Sequence, residues 1–271
     1  MPNNSKEAKL EAFSKLLDVV DELRQKCPWD RKQTNLSLRE NTIEETYELT
    51  DALLKDRTED IRKELGDVLL HILFYSKIGD EKEQFDIADV CDSLREKLIY
   101  RHPHIYGNIE ANTTEAVLQN WEQLKLKEKS GNKSVLAGVP EALPSLIRAY
   151  RIQQKTSSFG FDWQEPRDVW AKVKEEIAEV EEALAEEDTT AKADHVEEEF
   201  GDLLFSLVNA ARLYKVHPDT ALTKCNDKFT SRFNYVEQRT KDMGKSLKDM
   251  TLEEMDELWN EAKVQLKKQQ K

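Results

Sequence analysis

The sequence is poor in glycine, proline and cysteine, and these shortages narrow the fold. Glycine occurs 8 times and proline 7 times in 271 residues. Turn-rich β structures use both residues heavily, whereas this chain is rich in glutamate, lysine and leucine, so the composition favours helices. The three cysteines, Cys27, Cys91 and Cys225, form no CxxC pair. This excludes a disulfide scaffold and a zinc site, and it is typical of a reducing compartment.

The chain also lacks a surplus of positive charge and any long apolar run. Its formal net charge is −13 and its isoelectric point is near 5.1, whereas a nucleic-acid-binding domain normally presents a basic stripe. No apolar run approaches the length needed to cross a bilayer. The N-terminal segment lacks the basic stretch and apolar core of a signal peptide. We therefore expect a cytoplasmic protein without membrane contact or direct nucleic-acid binding.

Apolar residues recur at helical spacing along most of the chain, as in Leu10, Phe13 and Leu17. This periodicity predicts helices in the first half at about 6–26, 38–54, 61–78, 86–100 and 113–129. We expect Gly79 and Asp80 to close the third of them, because glycine commonly ends helices. No alternation typical of strands competes, so the predicted fold class is all-α.

The composition changes between Ser130 and Phe161, where glycine and proline residues typical of loops occur. We place a domain boundary there. The predicted organisation is a helical domain at 1–129, a partly helical linker at 130–157 and a second helical domain at 158–271.

The second half repeats the first, which predicts two tandem copies of one small helical bundle. Trp163 corresponds to Trp29, and EEFGDLLF at 198–205 corresponds to KELGDVLL at 63–70. Each copy carries two acidic pairs at i, i+3 spacing. These are Glu45 with Glu48 and Glu64 with Asp67 in the first copy, and Glu176 with Glu179 and Glu199 with Asp202 in the second.

Helical geometry predicts that the four acids of each copy come together. At about 100° per residue, Glu176 and Glu179 lie with Lys172 on one flank of an apolar seam. On the next helix, Glu199 and Asp202 lie along one edge of the buried stripe. Antiparallel packing of the two stripes would cluster four carboxylates at the rim of the core.

Such a cluster indicates a divalent cation. Like charges one turn apart destabilise a helix, and a cation removes that cost. Oxygen ligands suit Mg²⁺ or Mn²⁺ better than zinc. A ferritin-like di-iron site would require Glu-x-x-His pairs, which these positions lack. One acidic pair alone would be explained by a solvated face, so the prediction depends on two pairs recurring in both copies.

Basic residues after the acids are candidates for binding phosphates. Lys228 and Arg232 are i, i+4 neighbours, and Lys172 precedes the first acidic pair. Arginine can bind phosphate through two donors, whereas lysine supplies a point charge. Trp259 could stack on a base or cover the site. Taken singly, the basic pair also fits a surface helix, and the tryptophans fit core packing. The histidines, such as His71 where the second copy has Ser206, are predicted to be structural.

The motifs together resemble the MazG family of bacterial nucleoside triphosphate pyrophosphohydrolases, in its tandem-domain form. The resemblance covers nearly the whole chain and includes CPWD, ENTIEETYEL, KELGDVLLHILF, RHPHIYG, GFDW and KVKEEIAEVEEAL. It implies all-α domains that bind Mg²⁺ through acidic helices and assemble as homodimers. It also implies hydrolysis of nucleoside triphosphates to the monophosphate and pyrophosphate.

The resemblance also implies roles for individual residues. Metal ligands would be Glu176, Glu179, Glu199 and Asp202, and in the first copy Glu45, Glu48, Glu64 and Asp67. The catalytic residues would be Glu175, Glu176 and Glu198. Contacts to the nucleotide would come from Lys172, Glu176, Lys228, Arg232 and Trp259.

The first copy keeps the acids together with Lys97 and Arg101, but it departs at three positions. Asn41 stands for Lys172, Arg39 for Trp170 and Lys63 for Glu198. We therefore expect the second copy to be the main catalytic site. The alternative is a helical module that binds nucleotides or partners without turnover, because acidic helices with apolar seams can also associate for structural reasons.

Overall fold

The computed structural model describes residues 4–109, 134–187 and 190–269, together with 113, 114, 117, 120, 121 and 124. Within these residues the secondary structure is helical and no strand occurs, which confirms the all-α prediction. The chain divides into two compact units, Met1–Trp121 and Glu122–Lys271. None of the described helices combines the length and apolar character needed to cross a membrane.

The first unit contains five described helices. They are α1 (Lys6–Lys26), α2 (Arg39–Leu54), α3 (Thr58–Glu81), α4 (Ile87–Arg101) and the single turn α5 (Pro103–Tyr106). Their bounds lie within a few residues of those predicted by the apolar periodicity. Most of the helix predicted at 113–129 lies outside the described residues.

Helices α2 and α3 form the centre of the first unit, and their apolar stripes meet in a core. Leu38, Phe74 and Ile78 are buried there, with Leu70 and Tyr75 packed against them. The short connection between the helices makes them antiparallel, as the sequence predicts. This packing places the acids of α2 and α3 beside each other.

Arg24 joins α1 to this pair of helices. Its Nε and Nη2 donate to the carboxylate of Glu81 at 2.9 and 2.6 Å. Its Nη1 donates to the carbonyl oxygens of Asp30 and Gln33. A bidentate, charge-assisted contact of this kind fixes geometry more tightly than a single neutral hydrogen bond. One buried side chain therefore connects α1, the CPWD loop and the end of α3.

The prediction that Gly79 and Asp80 end the third helix is wrong. Helix α3 continues to Glu81, and the backbone reverses at Glu83, which has φ 56°. Gly79 lies inside the helix, where an added Cβ would be 2.7 Å from the carbonyl oxygen of Phe85. A glycine is needed here because the following loop approaches the helix closely. From the sequence alone, a glycine in this role cannot be distinguished from one that ends a helix.

The second unit also contains five described helices. They are α6 (Ser145–Ser157), α7 (Val169–Ala185), α8 (Thr190–Leu213), α9 (Pro218–Asp242) and α10 (Leu252–Gln269). Helices α7 and α8 correspond to α2 and α3, and Val169, Val173 and Ala210 are buried in the core between them. Helices α9 and α10 share a further core of Val236, Met250 and Leu258.

Helix α6 falls within the segment predicted as a linker, yet it packs on α8. The Nε2 of Gln153 donates to the carbonyl oxygen of Phe205 at 2.8 Å. The Nζ of Lys155 donates to the carbonyl oxygen of Val135 at 3.1 Å. The segment is thus partly helical and belongs to the second unit by its contacts. The limits predicted for the two domains and the linker stay a prediction.

Candidate metal and nucleotide site

Three acids of the second copy converge between α7 and α8. Carboxylate oxygens of Glu176, Glu199 and Asp202 all lie within 4.8 Å of one another. Glu176 is buried, Glu199 is half-buried and Asp202 is exposed. The set therefore runs from the core to the surface, so it offers a buried anchor and an open side to a ligand.

Glu179 lies one turn beyond Glu176 and is outside this group of three. The neighbouring carboxyl group of Glu176 is the main cause of a raised pKa for Glu179, and the charge of Glu199 adds like-charge repulsion. The four predicted acids therefore lie near one another, and carboxylate oxygens of three of them are within 4.8 Å. Glu179 stays a predicted metal ligand.

Lys172 neutralises the buried end of the cluster. Its Nζ lies 2.8 Å from Oε1 of Glu175 and 2.8 Å from Oε1 of Glu176. These two hydrogen bonds raise the pKa of the lysine, the bond to Glu175 contributing most. The ammonium group supplies part of the positive charge that the crowded carboxylates require.

His195 also contacts the cluster, a role that the sequence reasoning missed. Its Nε2 lies 3.1 Å from Oε1 of Glu199, and its Nδ1 lies 2.9 Å from Oε1 of Glu186. The hydrogen bond to Glu186 is the main cause of a raised pKa for the imidazole. The i, i+4 spacing of His195 and Glu199 is the signal that could have revealed the contact.

The first copy forms a comparable cluster between α2 and α3. Carboxylate oxygens of Glu45, Glu48 and Glu64 lie within 4.8 Å of one another. Burial is the largest cause of a raised pKa for Glu45, followed by the charges of Asp67, Glu48 and Glu64. Oε2 of Glu64 is buried and has no hydrogen-bond partner within the described residues. An unpaired buried oxygen beside two other carboxylates suits a cation ligand.

The positive charge of the first cluster comes from the opposite helix. Nζ of Lys63 lies 3.0 Å from Oε1 of Glu64 and 3.9 Å from Oδ2 of Asp67. Asn41 occupies the position that Lys172 has in the second copy. Each copy thus pairs a lysine with its acids, but the lysine stands on α3 in the first copy and on α7 in the second.

A cavity of about 400 Å³ lies beside the acids of the second copy. Its size falls in the range of small-molecule sites. Glu176, Asp202 and Lys172 line it at the acidic end. Its other walls include three aromatic rings and three polar side chains, which are Phe161, Trp163, Phe205, Gln153, Ser206 and Asn209.

Larger side chains occupy two of the matching positions in the first copy. His71 stands where the second copy has Ser206, and Phe74 stands where it has Asn209. Both are buried, Phe74 in the core and His71 with its Nδ1 2.8 Å from Oγ1 of Thr42. The two copies therefore share an acidic cluster but differ in the space next to it.

The remaining predicted residues lie on α9, α10 and α8. Trp259 packs against Phe229 with ring centroids 4.9 Å apart, and the guanidinium carbon of Arg232 lies 5.6 Å from its ring centroid. Within the described part of the chain, neither Lys228 nor Arg232 forms an ion pair with the clustered acids. Glu198 is exposed and lies outside the group of three acids. The roles predicted for these four residues stay predictions.

Comparison with known proteins supplies the family. The model of the MazG nucleotide pyrophosphohydrolase domain matches twice, at residues 33–106 and 164–237. The chain is 40% identical over 254 residues to the nucleoside triphosphate pyrophosphohydrolase/pyrophosphatase MazG of Thermotoga maritima, covering 93% of this chain and 95% of that relative.

Two further relatives extend the comparison. The chain is 39% identical over 258 residues to the nucleoside triphosphate pyrophosphohydrolase of Escherichia coli K12, covering 93% of this chain and 97% of that protein. It is 45% identical over 255 residues to the uncharacterized protein YabN of Bacillus subtilis, of which it spans 51%. Both matched domain segments contain an acidic cluster.

Proposed function

We infer, because this chain belongs to the MazG nucleotide pyrophosphohydrolase family, that it hydrolyses nucleoside triphosphates to the monophosphate and pyrophosphate. We propose that the second unit carries out most of this reaction and that the reaction depends on Mg²⁺. One observation carries the assignment: Glu176 and Asp202 belong both to the acidic cluster and to the wall of the 400 Å³ cavity. A cation and an organic ligand would therefore meet there.

The residues present fit a divalent cation. Glu176, Glu199 and Asp202 offer only oxygen, and their oxygens lie within 4.8 Å of one another, which suits Mg²⁺ or Mn²⁺. These three residues would hold the ion, with Glu179 as a further ligand. A bound ion would supply polarisation of phosphate oxygens and a lowered pKa for a bound water.

The side chains around the cluster would bind and orient the triphosphate. Lys172 stands at the acidic end of the cavity, where its ammonium group would bind phosphate oxygens and offset the charge of the leaving pyrophosphate. Glu175 is exposed and pairs with Lys172, and we propose that it orients a water or takes its proton. Glu198 is a second candidate for that role, and Lys228 and Arg232 are candidates for further phosphate contacts.

The first unit is better suited to metal binding or a structural role than to turnover. It lacks a counterpart of Lys172, and His71 and Phe74 occupy positions that line the cavity in the second copy. The second candidate function is therefore a module that binds nucleotides without turning them over. The first unit fits this function better than the second unit does.

The test is a product-resolved panel of ribo- and deoxyribonucleoside triphosphates in Mg²⁺. The wild type, Glu176→Gln and the matched first-copy variant Glu45→Gln are compared. We expect AMP and pyrophosphate from ATP, a loss of at least about tenfold in Glu176→Gln, and little change in Glu45→Gln. ADP and phosphate as products would contradict cleavage at the α-phosphorus. Nucleotide binding without product would favour the binding module, and loss of turnover only in Glu45→Gln would move the site to the first unit.

We also propose that the chain forms a homodimer. Supporting this, α9 exposes Phe229 and Phe233, and Leu252 at the start of α10 is exposed beside them along one apolar groove. Light scattering should give a mass twice the chain mass of 31.5 kDa. A mass equal to that of one chain at micromolar concentration would exclude a stable dimer.

A further inference from the structure

We propose that the cavity of the second unit binds the nucleobase, and that Gln153 and Asn209 read its polar edge as acceptor and donor. This inference rests on the proposed function, because it assigns a subsite to the substrate of that reaction. It adds two base-binding residues that neither the acidic motifs nor the basic residues indicate.

Gln153 presents a buried acceptor. The side chain is 4% exposed, and its Nε2 donates to the carbonyl oxygen of Phe205 at 2.8 Å. A carbonyl oxygen can only accept, so this bond fixes which end of the amide is nitrogen. Oε1 has no hydrogen-bond partner among the described residues. A buried acceptor without a partner is uncommon in folded proteins, and here it belongs to a side chain that lines the cavity.

Asn209 presents the complementary donor. Its Oδ1 accepts from Nε and Nη2 of Arg212 at 3.0 and 2.8 Å. A guanidinium group only donates, so Oδ1 faces Arg212 and the two protons of Nδ2 remain for a ligand. Arg212 is held in turn by Asp162, whose Oδ2 accepts from Nη1 at 2.9 Å. The orientation of the asparagine amide is therefore set by an ion pair.

Aromatic rings supply the flat walls that a base requires. Phe161 is 83% exposed, and Trp163 and Phe205 are also exposed, although all three line the cavity. Large rings left in water lose the free energy of burial. Stacking on a nucleobase would recover part of it, since bases of every kind stack on aromatic side chains.

The cavity and the acids are arranged as a nucleotide would need them. Lys172, Glu176 and Asp202 line one end, where the triphosphate and its cation would lie. Gln153, on α6, lines the same cavity, and so does Asn209, about two helical turns beyond Asp202 on α8. In the first copy, Phe74 stands for Asn209 and His71 stands for Ser206. The pair of a buried acceptor and a free amide donor therefore belongs to the second unit.

The chemistry of the bases gives a directional test. Each base offers at least one N–H donor next to an acceptor, as an acceptor–donor pair in the protein requires. Asn209→Asp keeps the oxygen that Arg212 holds and turns the free donor into an acceptor. Guanine alone presents two adjacent donors, N1–H and N2–H, so this variant should shift preference toward GTP. The added negative charge weakens the binding of all four triphosphates alike, so its effect cancels in the ratio of KM for GTP to KM for ATP.

The experiment measures KM and kcat for ATP, GTP, CTP and UTP, and the Kd for tripolyphosphate as a probe without a base. We expect Asn209→Asp to lower the ratio of KM for GTP to KM for ATP about tenfold. Gln153→Leu should raise KM for all four nucleotides several-fold and leave tripolyphosphate affinity within twofold. Gln154→Leu, on the same helix but exposed, is the matched control and should leave every value unchanged.

A filled cavity provides an independent variant. Ser206→His with Asn209→Phe copies the first unit and should raise KM for every nucleotide while tripolyphosphate affinity is retained. The inference is overturned if Gln153→Leu leaves every KM at its wild-type value, or if Asn209→Asp keeps the wild-type ratio of KM for GTP to KM for ATP. It is also overturned if Gln153→Leu weakens the binding of nucleotides and of tripolyphosphate equally. Absence of monophosphate from the wild type would instead contradict the proposed function. In that case nucleotide Kd ratios decide the subsite, and equal Kd values for nucleotides and tripolyphosphate overturn it.

Discussion

Lys172 contacts two glutamates at once, and the first copy has Asn41 at the matching position. Replacing it with the residue of the first copy, in Lys172→Asn, removes the cation at the acidic end of the cavity. We expect kcat/KM for nucleoside triphosphates to fall on the order of a hundredfold, because a charged group that stabilises developing phosphate charge is lost. Steady-state kinetics with saturating Mg²⁺ measures the change.

The reciprocal variant is the control for this prediction. Asn41→Lys introduces the same residue at the matching position of the first unit and should leave turnover within twofold. A rise in turnover would show that the first unit needs only this cation to act. Retention of activity in Lys172→Asn would remove Lys172 from the site.

Glu81 carries a pH dependence that can be derived from its pKa. The hydrogen bond from Arg24 lowers the pKa of Glu81 below its usual value. The folded state therefore favours the ionised form, so the stabilisation is present above the unfolded pKa and is lost as pH falls through the folded one. We expect Glu81→Gln to lower the free energy of unfolding at pH 7 by about 1 kcal/mol, near the low end for charge-assisted bonds because Glu81 is partly exposed.

Denaturant unfolding between pH 3 and 7 tests the sign of this effect. The wild type should lose stability relative to Glu81→Gln as the solution is acidified below about pH 4.5, the usual range for glutamate. Parallel stability curves for the two proteins over this range would contradict the assignment.

At the scale of elements, two glycines of α3 separate helix propensity from packing. A Cβ on Gly66 would meet no atom within 4 Å, whereas a Cβ on Gly79 would lie 2.7 Å from the carbonyl oxygen of Phe85. Gly66→Ala should raise the free energy of unfolding by about 0.5–1 kcal/mol. Gly79→Ala should lower it by about 1–3 kcal/mol, because the loop must move. Thermal unfolding of the two variants would contradict this account if both changed in the same direction.

The helices could be predicted because the apolar spacing that identifies each one lies within a short stretch of the sequence. Apolar spacing located α1 to α4 within a few residues, and the recurrence of the acidic pairs identified α7 and α8 as a second copy. The pairing of Lys172 with Glu176 follows from i, i+4 spacing on one helix. Each of these features depends on residues close in the sequence, where helical geometry alone decides which side chains meet.

Features that depend on tertiary approach were not predictable in the same way. The sequence predicts a helix end at Gly79, because the close approach of Phe85 to this glycine depends on the tertiary fold. The cavity next to the acids requires Gln153 on α6, far from Asn209 on α8, and its acceptor is revealed only by the bond to Phe205. The sequence shows that Lys63 stands at the position of Glu198, but it does not predict that Lys63 contacts Glu64.

At the scale of the whole molecule, the two units are copies that balance the same acids in different ways. In the second, the lysine stands on α7 and lines the cavity; in the first, Lys63 stands on α3 and bonds directly to Glu64. The hydrogen bond to Glu64 raises the pKa of Lys63, so the lysine stays charged where a cation would bind. A metal ion entering the first cluster must therefore displace or oppose this ammonium group.

Exchanging the charges between the units tests this difference. Lys63→Glu gives the first unit the residue that the second has at Glu198, and it should tighten Mn²⁺ binding roughly tenfold, equivalent to about 1.4 kcal/mol. Glu198→Lys should weaken the second site by a similar factor. Calorimetric titration of the full chain with Mn²⁺ resolves the sites. Adding Glu45→Gln to Lys63→Glu should abolish the gain, because the cluster then loses a carboxylate; a gain that survives this change would place the new metal site elsewhere.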